Sequence, residues 1–296
     1  MGRSLLESLL EEAARMKKDV LGRSIKKSTL LRGRAFVNLF FEPSTRTRTS
    51  FELAGKYLGA DTINVQGKGS SVEKGETLYD TALNIQAMHV DGLVVRHPAS
   101  GASAQLQSYL NIPVINAGDG FHEHPTQGLL DLFTVWEAKK SFQDCHLVIV
   151  GDILHSRVAR SDMWGFLAMG ARVTFVAPAM WLPRGISEPG LEMTTNLEEA
   201  LLTADAVQVL RIQKERSSMQ GMTSEEEYRT RWGLTRERAQ RLKNDVLILH
   251  PGPQNRGVEI DSDVMAQNSS KIWDQVENGV AVRMAVLKKL LGGSHE

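Results

Sequence analysis

At 296 residues and 32.8 kDa the chain is longer than one typical hydrophobic core, so two domains of similar size are expected. Thirty-five Lys plus Arg balance 35 Asp plus Glu, which excludes the bulk positive field of a nucleic-acid binder or membrane-surface protein and leaves local basic clusters for small anions. The single cysteine, Cys145, excludes a disulfide framework and a cysteine metal cage, no apolar run reaches membrane-spanning length, and Met1 to Val20 reads as a charged amphipathic helix; a soluble, cytoplasmic protein with an inert core thiol is expected.

In chain order, the apolar run Ala35 to Phe40 predicts a buried strand, and Phe51, Leu53, Ala54, Tyr57 and Leu58 recur at helical spacing beyond it. Between them lies Glu42-Pro43-Ser44-Thr45-Arg46-Thr47-Arg48, a set of hydroxyl and guanidinium groups at a predicted helix N-terminus. Backbone N–H groups there lack intrahelical acceptors and the helix dipole favours an anion, so one oxyanion can be fully coordinated. An ordinary N-cap with a solvated Arg/Thr face is the plainer alternative for the same residues. Further strands are expected near Thr62 to Val65, Gly92 to Val95, Val114 to Asn116, His146 to Val150, Val173 to Val176, Ala206 to Leu210 and Val246 to Leu249. Helical patterns alternate with them, notably Thr126 to Lys140 and a long last helix from about Ser270 to Leu291.

This α/β alternation predicts two Rossmann-like domains, each a parallel sheet flanked by helices, with the C-terminal helix returning to the first domain. The expected boundaries are 1–133 plus the helix at about 270–291 for one domain and 134–269 for the other. Polar clusters follow several strands: Ser44 to Thr47, Arg96-His97, His122 to Gln127, Arg157, Arg211 to Arg216 and Pro251-Gly252-Pro253. Because ligands of such sheets bind beyond the carboxyl ends of the strands, these clusters are expected to meet in one cleft. The charged segment Gln213 to Arg231, with Gly221 inside it, reads as a mobile loop. His122-Glu123-His124 lacks the two-turn helical spacing of a zinc-protease motif, so no metal is expected. Gly151-Asp152 lacks the Gly-x-Gly-x-x-Gly fingerprint, which argues against a dinucleotide. Met163, Trp164, Phe166, Leu167 and Met169 read as helix core or packing surface.

Taken together, Ser44-Thr45-Arg46-Thr47-Arg48, Lys74-Gly75-Glu76, Arg96-His97-Pro98, His124-Pro125-Thr126-Gln127, Arg211 to Arg216 and His250-Pro251-Gly252-Pro253 resemble, in this order, the motifs of the aspartate/ornithine carbamoyltransferase family. The resemblance runs over essentially the whole chain and favours the aspartate branch. Ornithine presents a cation and needs acceptors, whereas aspartate presents a second carboxylate that calls for Arg and amide donors such as Arg211 and Gln213. Ornithine enzymes typically place a cysteine where this chain has Pro251-Gly252.

The resemblance implies transfer of the carbamoyl group of carbamoyl phosphate to L-aspartate in pyrimidine biosynthesis, with no metal or cofactor. It implies Ser44, Thr45, Arg46 and Thr47 at the phosphate, and Thr47, Arg96 and His124 as donors to the carbonyl oxygen. Gln127 with the main-chain carbonyls of Pro251 and Gly252 would hold the carbamoyl NH₂, while Arg157, Arg211 and Gln213, with Gly252, would hold aspartate. Ser70 and Lys74 match a family loop that reaches a neighbouring subunit's site, Lys74 also meeting aspartate, which implies a homotrimer; Glu73 stands where some relatives carry Lys. Family members also associate with dihydroorotase or regulatory chains. Two other readings stay open at this point: transfer to ornithine or another amino acid, and a scaffold chain active only with such a partner.

Overall fold

The computed structural model describes residues 1–67, 75–212 and 224–293. Two compact units emerge, one of Ser4–Leu130 with Val276–Glu296, the other of Asp131–Gln275 with Met1–Arg3.

The first unit is built on a four-stranded parallel sheet in the order β2-β1-β3-β4, from β1 (Ala35–Phe40), β2 (Asp61–Gln66), β3 (Gly92–His97) and β4 (Val114–Asp119). The chain leaves β1 outward to β2 and then crosses to the other side for β3 and β4, so the topological switch lies between β1 and β3. Alternation along β1 sends Val37 and Leu39 to one face, where they join Leu93, Val95, Ala82, Ile85 and Leu106 under α3 (Leu78–Ala87) and α4 (Ala102–Tyr109). Phe36 points to the opposite face, where Gly55 of α2 (Thr45–Leu58) lies against its ring. A Cβ at Gly55 would strike that ring and Thr62 Oγ1, which is why the helix carries glycine there. The helix α1 (Arg3–Met16) and the last helix, α11 (Ile272–Leu291), complete this unit. Lys288 bonds Glu12 at 2.7 Å, Lys17 bonds Asn278 at 2.7 Å, and the Arg283 guanidinium lies 5.1 Å from the Phe51 ring centre. The C-terminal helix thus returns to the first unit.

The second unit holds a five-stranded parallel sheet, order β7-β6-β5-β8-β9. Its strands are β5 (His146–Val150), β6 (Arg172–Val176), β7 (Leu191–Thr194), β8 (Ala206–Val209) and β9 (Leu247–Leu249). The central β5 is buried along its full length, as a strand covered on both faces must be. Its switch point lies between β5 and β8. The helices α5 (Pro125–Lys139), α6 (Arg157–Ala168), α7 (Leu197–Thr203), α8 (Glu225–Trp232), α9 (Arg236–Ala239) and α10 (Ser262–Met265) connect the strands, and the chain passes between units within α5 and α11.

Two expectations need correction. Sequence alternation predicts eight strands, whereas nine form among the described residues: β7 is a four-residue edge strand with only partial burial, too short for a clear period-two signal. Residues 225–231 of the segment that reads as a mobile loop belong to a capped helix, Glu225–Trp232. Ser224 Oγ accepts from the Glu227 N–H at 3.1 Å, three acidic residues fill the first turn, and Tyr228 is buried between Trp181 and Trp232. Among α6 residues, Met163 and Phe166 are buried, as expected of core, while Trp164 is exposed. Cys145 is buried, and that burial pushes its thiol up to about 11, far from a reactive thiolate.

Candidate active site

The first set of groups surrounds the β1–β3 switch. After β1 the chain turns through Glu42 and Pro43, and Ser44 stands at the N-cap of α2 with extended dihedrals. Its side chain makes no capping hydrogen bond, so the hydroxyl is not committed to the helix it starts. Phe51, Ala54 and Leu58 bury one stripe of α2 and fix the helix against the sheet, which aims its N-terminus along the carboxyl edge. Thr45 and Arg46 are exposed there, whereas Thr47 is buried.

Arg96 closes the adjacent strand. Phe41 N–H donates to the Arg96 carbonyl at 2.9 Å, so the end of β1 that leads to Ser44 lies beside the end of β3 that carries Arg96. Between β3 and β4 the register shifts, Val95 pairing with Asn116 but His97 with Asp119. The bulge turns the Ala117 carbonyl out of the ladder, and Arg96 Nη1 donates to it at 3.2 Å. Glu42 Oε2 lies 3.4 Å from Arg96 Nε, a contact that holds the guanidinium plane from a second direction. His97 packs its ring edge-on against Phe41 and accepts the Ala99 N–H at Nδ1; burial holds its pKa below the ordinary value. Neither Glu42, within the run from Glu42 to Arg48, nor Asp119, three residues before His122, carries a motif signal of its own.

His124 precedes Pro125 at the first position of α5, where proline's missing N–H costs nothing. His124, Thr126 and Gln127 are all buried at this second helix start. The loop leading to them is tied by Asp119, whose carboxylate accepts from Gly101 N at 2.6 Å, Asn116 Nδ2 at 2.9 Å and Glu123 N at 3.0 Å.

The other unit assembles a second set around its own switch. Arg157 begins α6 directly after β5, behind Ser156, whose Oγ caps the helix by accepting Ala159 N–H at 3.1 Å. Arg157 is buried although it is a helix-start arginine. Arg211 follows β8, and Pro251-Gly252 follows β9, so these residues end neighbouring strands β5, β8 and β9. The turn after β9 is held by His250: its Nδ1 accepts the Gly252 N–H at 2.8 Å, which leaves the proton on Nε2, 3.2 Å from Glu259 Oε1. His250 N–H donates to Gln275 Oε1, and Gln275 Nε2 donates to Asp131 at 2.6 Å. Gln208 Nε2 bonds both Asp131 and Asp162, extending the buried network across the sheet. Asn255 Nδ2 holds the Ile212 carbonyl at 3.0 Å, just beyond Arg211.

Each unit therefore gathers its expected residues on neighbouring strand ends: Ser44, Thr45, Arg46, Thr47, Arg96, His124 and Gln127 in one, Arg157, Arg211, Pro251 and Gly252 in the other. Ser70, Lys74 and Gln213 lie outside the described residues. Among the described residues, no group of His, Cys, Asp and Glu is arranged to hold a metal ion, and no helix is long and apolar enough to cross a membrane.

Residues 1–137 match the carbamoyl-P binding domain of aspartate/ornithine carbamoyltransferases, and residues 143–290 match the Asp/Orn binding domain of the same enzymes. The chain belongs to the aspartate/ornithine carbamoyltransferase family. Within this family it is 52% identical over 289 residues to the aspartate carbamoyltransferase catalytic subunit of Heliobacterium modesticaldum, covering 98% of this chain and 92% of that protein. Aspartate transcarbamoylase of Trypanosoma cruzi, solved in complex with carbamoyl phosphate and aspartate, superposes with a TM-score of 0.88 at 30% identity, over 98% of this chain and 94% of that one. Ornithine carbamoyltransferase from Pyrococcus furiosus superposes with a TM-score of 0.83 at 28% identity, over 98% and 94%. The carbamoyltransferase architecture is thus common to both acceptor branches, while the greater sequence identity lies with aspartate enzymes.

Proposed function

We propose that this carbamoyltransferase moves the carbamoyl group of carbamoyl phosphate to the amino group of L-aspartate, giving N-carbamoyl-L-aspartate and phosphate, in pyrimidine biosynthesis. The observation that carries this reading is the placement of anion-binding groups at both switch points: hydroxyls and arginines beside β1 and β3, and a further pair of arginines beside β5 and β8. Carbamoyl phosphate is an anion with a neutral amide end, and aspartate is a dicarboxylate.

Ser44, Thr45, Arg46 and Thr47 bind the phosphate, using side-chain donors and the N–H groups that begin α2. Thr47, Arg96 and His124 donate to the carbonyl oxygen, which gains negative charge as the aspartate nitrogen forms its bond to the carbamoyl carbon. Gln127 and the carbonyls of Pro251 and Gly252 accept from the carbamoyl NH₂ and fix which face is attacked. The bond from carbon to the bridging phosphate oxygen then breaks, and the departing phosphate takes the amine proton. Arg157 binds the α-carboxylate, and Arg211 with Gln213 binds the side-chain carboxylate. These carboxylate donors suit aspartate and oppose the cationic side chain of ornithine. Ser70 and Lys74 complete the site from a neighbouring protomer of a homotrimer, and the protein works in the cytoplasm.

Product formation with L-aspartate and with L-ornithine, measured side by side at saturating carbamoyl phosphate, tests the reading. A preference for ornithine overturns it.

A further inference from the structure

We infer that Asp119 is a positioning residue of the carbamoyl site: one buried carboxylate locks the loop that follows Arg96 and β3 to the loop that carries His124. This inference rests on the functional reading above for what those two side chains do.

Asp119 ends β4 and is only 1% exposed, a costly place for a carboxylate unless its oxygens are fully used. Oδ2 accepts Gly101 N–H at 2.6 Å, and His122 Nδ1 stands 3.1 Å from the same oxygen. Oδ1 accepts Asn116 Nδ2 at 2.9 Å and Glu123 N–H at 3.0 Å. Gly101 belongs to the loop after β3, four residues beyond His97, whereas Asn116, His122 and Glu123 belong to β4 and the loop that ends in His124. One side chain therefore bonds both loops.

The same seam is closed by backbone contacts that need this register. Gly120 N–H donates to the His97 carbonyl at 2.9 Å, and Phe121 N–H to Ser100 Oγ at 3.3 Å. Gly120 has a φ of 50°, and a Cβ there would lie 2.5 Å from Ser100 Oγ and 2.9 Å from the Pro98 carbonyl oxygen, so the loops approach as closely as glycine permits. Asp119 N–H donates to the Glu123 carbonyl at 3.0 Å, closing the turn immediately before His124. Arg96 reaches Ala117 in this assembly, two residues before the carboxylate. A shift of the Asp119 hub moves the Arg96 anchor and the His124 backbone relative to each other. The start of α2, which binds phosphate, does not pass through it.

The consequence is a split between chemistry and anion binding. Asp119→Asn keeps size and burial but presents an NH₂ group where an oxygen received an N–H, so kcat with aspartate is expected to fall 10- to 100-fold while the dissociation constant of inorganic phosphate, measured by calorimetry on the full chain, stays within threefold. Adding Asn116→Asp to Asp119→Asn supplies an acceptor for the amide introduced at position 119 and is expected to recover part of kcat. A kcat within threefold of the wild type overturns the inference, as does a parallel loss of kcat and phosphate affinity, which marks Asp119 as general framework. Should Asp119→Asn not fold, Gly120→Ala decides, since it leaves the carboxylate intact and wedges the loops apart: a tenfold or greater loss of kcat with phosphate affinity retained supports the seam, and unchanged kcat overturns it. If the wild type prefers ornithine, the functional reading fails separately, and the same variants are judged with ornithine as acceptor.

Discussion

Replacing Arg96 isolates the contribution of a pre-positioned donor. The guanidinium is fixed on two sides, by the Ala117 carbonyl at 3.2 Å and the Glu42 carboxylate at 3.4 Å, so it need not reorganise as charge grows on the carbonyl oxygen. Removing one such donor costs on the order of 100- to 1000-fold in kcat, about 2.7–4 kcal/mol. Arg96→Met is expected to show that full loss. Arg96→Lys keeps the charge but not the planar fork, and an intermediate loss of roughly tenfold, about 1.4 kcal/mol, is expected. Stability must be separated from catalysis, because Arg96→Met takes a cationic partner from a largely buried Glu42 carboxylate and a donor from the Ala117 carbonyl, at about 1–3 kcal/mol for a lost buried partner. The double variant Glu42→Gln with Arg96→Met removes the carboxylate charge that Arg96 no longer balances. Thermal unfolding should show its midpoint above that of Arg96→Met, while steady-state kinetics at saturating substrates should show kcat still depressed at least about 100-fold. If kcat returns together with the melting midpoint, or if Arg96→Met stays within threefold of the wild type, the argument for a pre-positioned oxyanion donor fails.

Arg46→Ala is expected to nearly abolish carbamoyl-phosphate binding and Arg211→Ala chiefly to raise KM for aspartate; unchanged ligand titrations would count against both roles. Mixing Lys74→Ala chains with Arg46→Ala chains should restore part of the activity if neighbouring protomers share a site, and none if each chain is self-sufficient. Burial, with Arg172 close by, holds the His146 pKa below its ordinary 6.5. The unfolded chain therefore takes up the proton first as pH falls, and stability is held above about 6.5 and lost progressively below it. His146→Gln should flatten that decline in urea midpoints between pH 8 and 5, about the range over which an imidazole titrates, and equal slopes for both proteins would refute the assignment. Gly55→Ala drives a methyl group into the Phe36 ring and should cost about 1–3 kcal/mol by chemical denaturation, whereas a neutral outcome would show that α2 can shift away from the sheet.

Much of this protein is local information. Apolar runs such as Ala35 to Phe40 and His146 to Val150 reveal buried parallel strands because both faces are covered, and a dense Ser-Thr-Arg cluster between strand and helix marks an anion site from helix-end chemistry alone. The edge strand β7 escaped because four half-buried residues carry almost no periodicity, and α8 because its charged surface outweighed the Ser224 to Glu227 capping signature. Tertiary structure alone decided the strand orders that set β1, leading to Ser44, beside β3, carrying Arg96, and β5, leading to Arg157, beside β8, leading to Arg211, since a strand's own residues mark the strand but not its neighbour. It also decided the roles of Glu42, Asp119 and Glu259. A buried carboxylate reads as any surface acid until folding removes water from it, and only then do the donors brought from distant loops show what it holds in place.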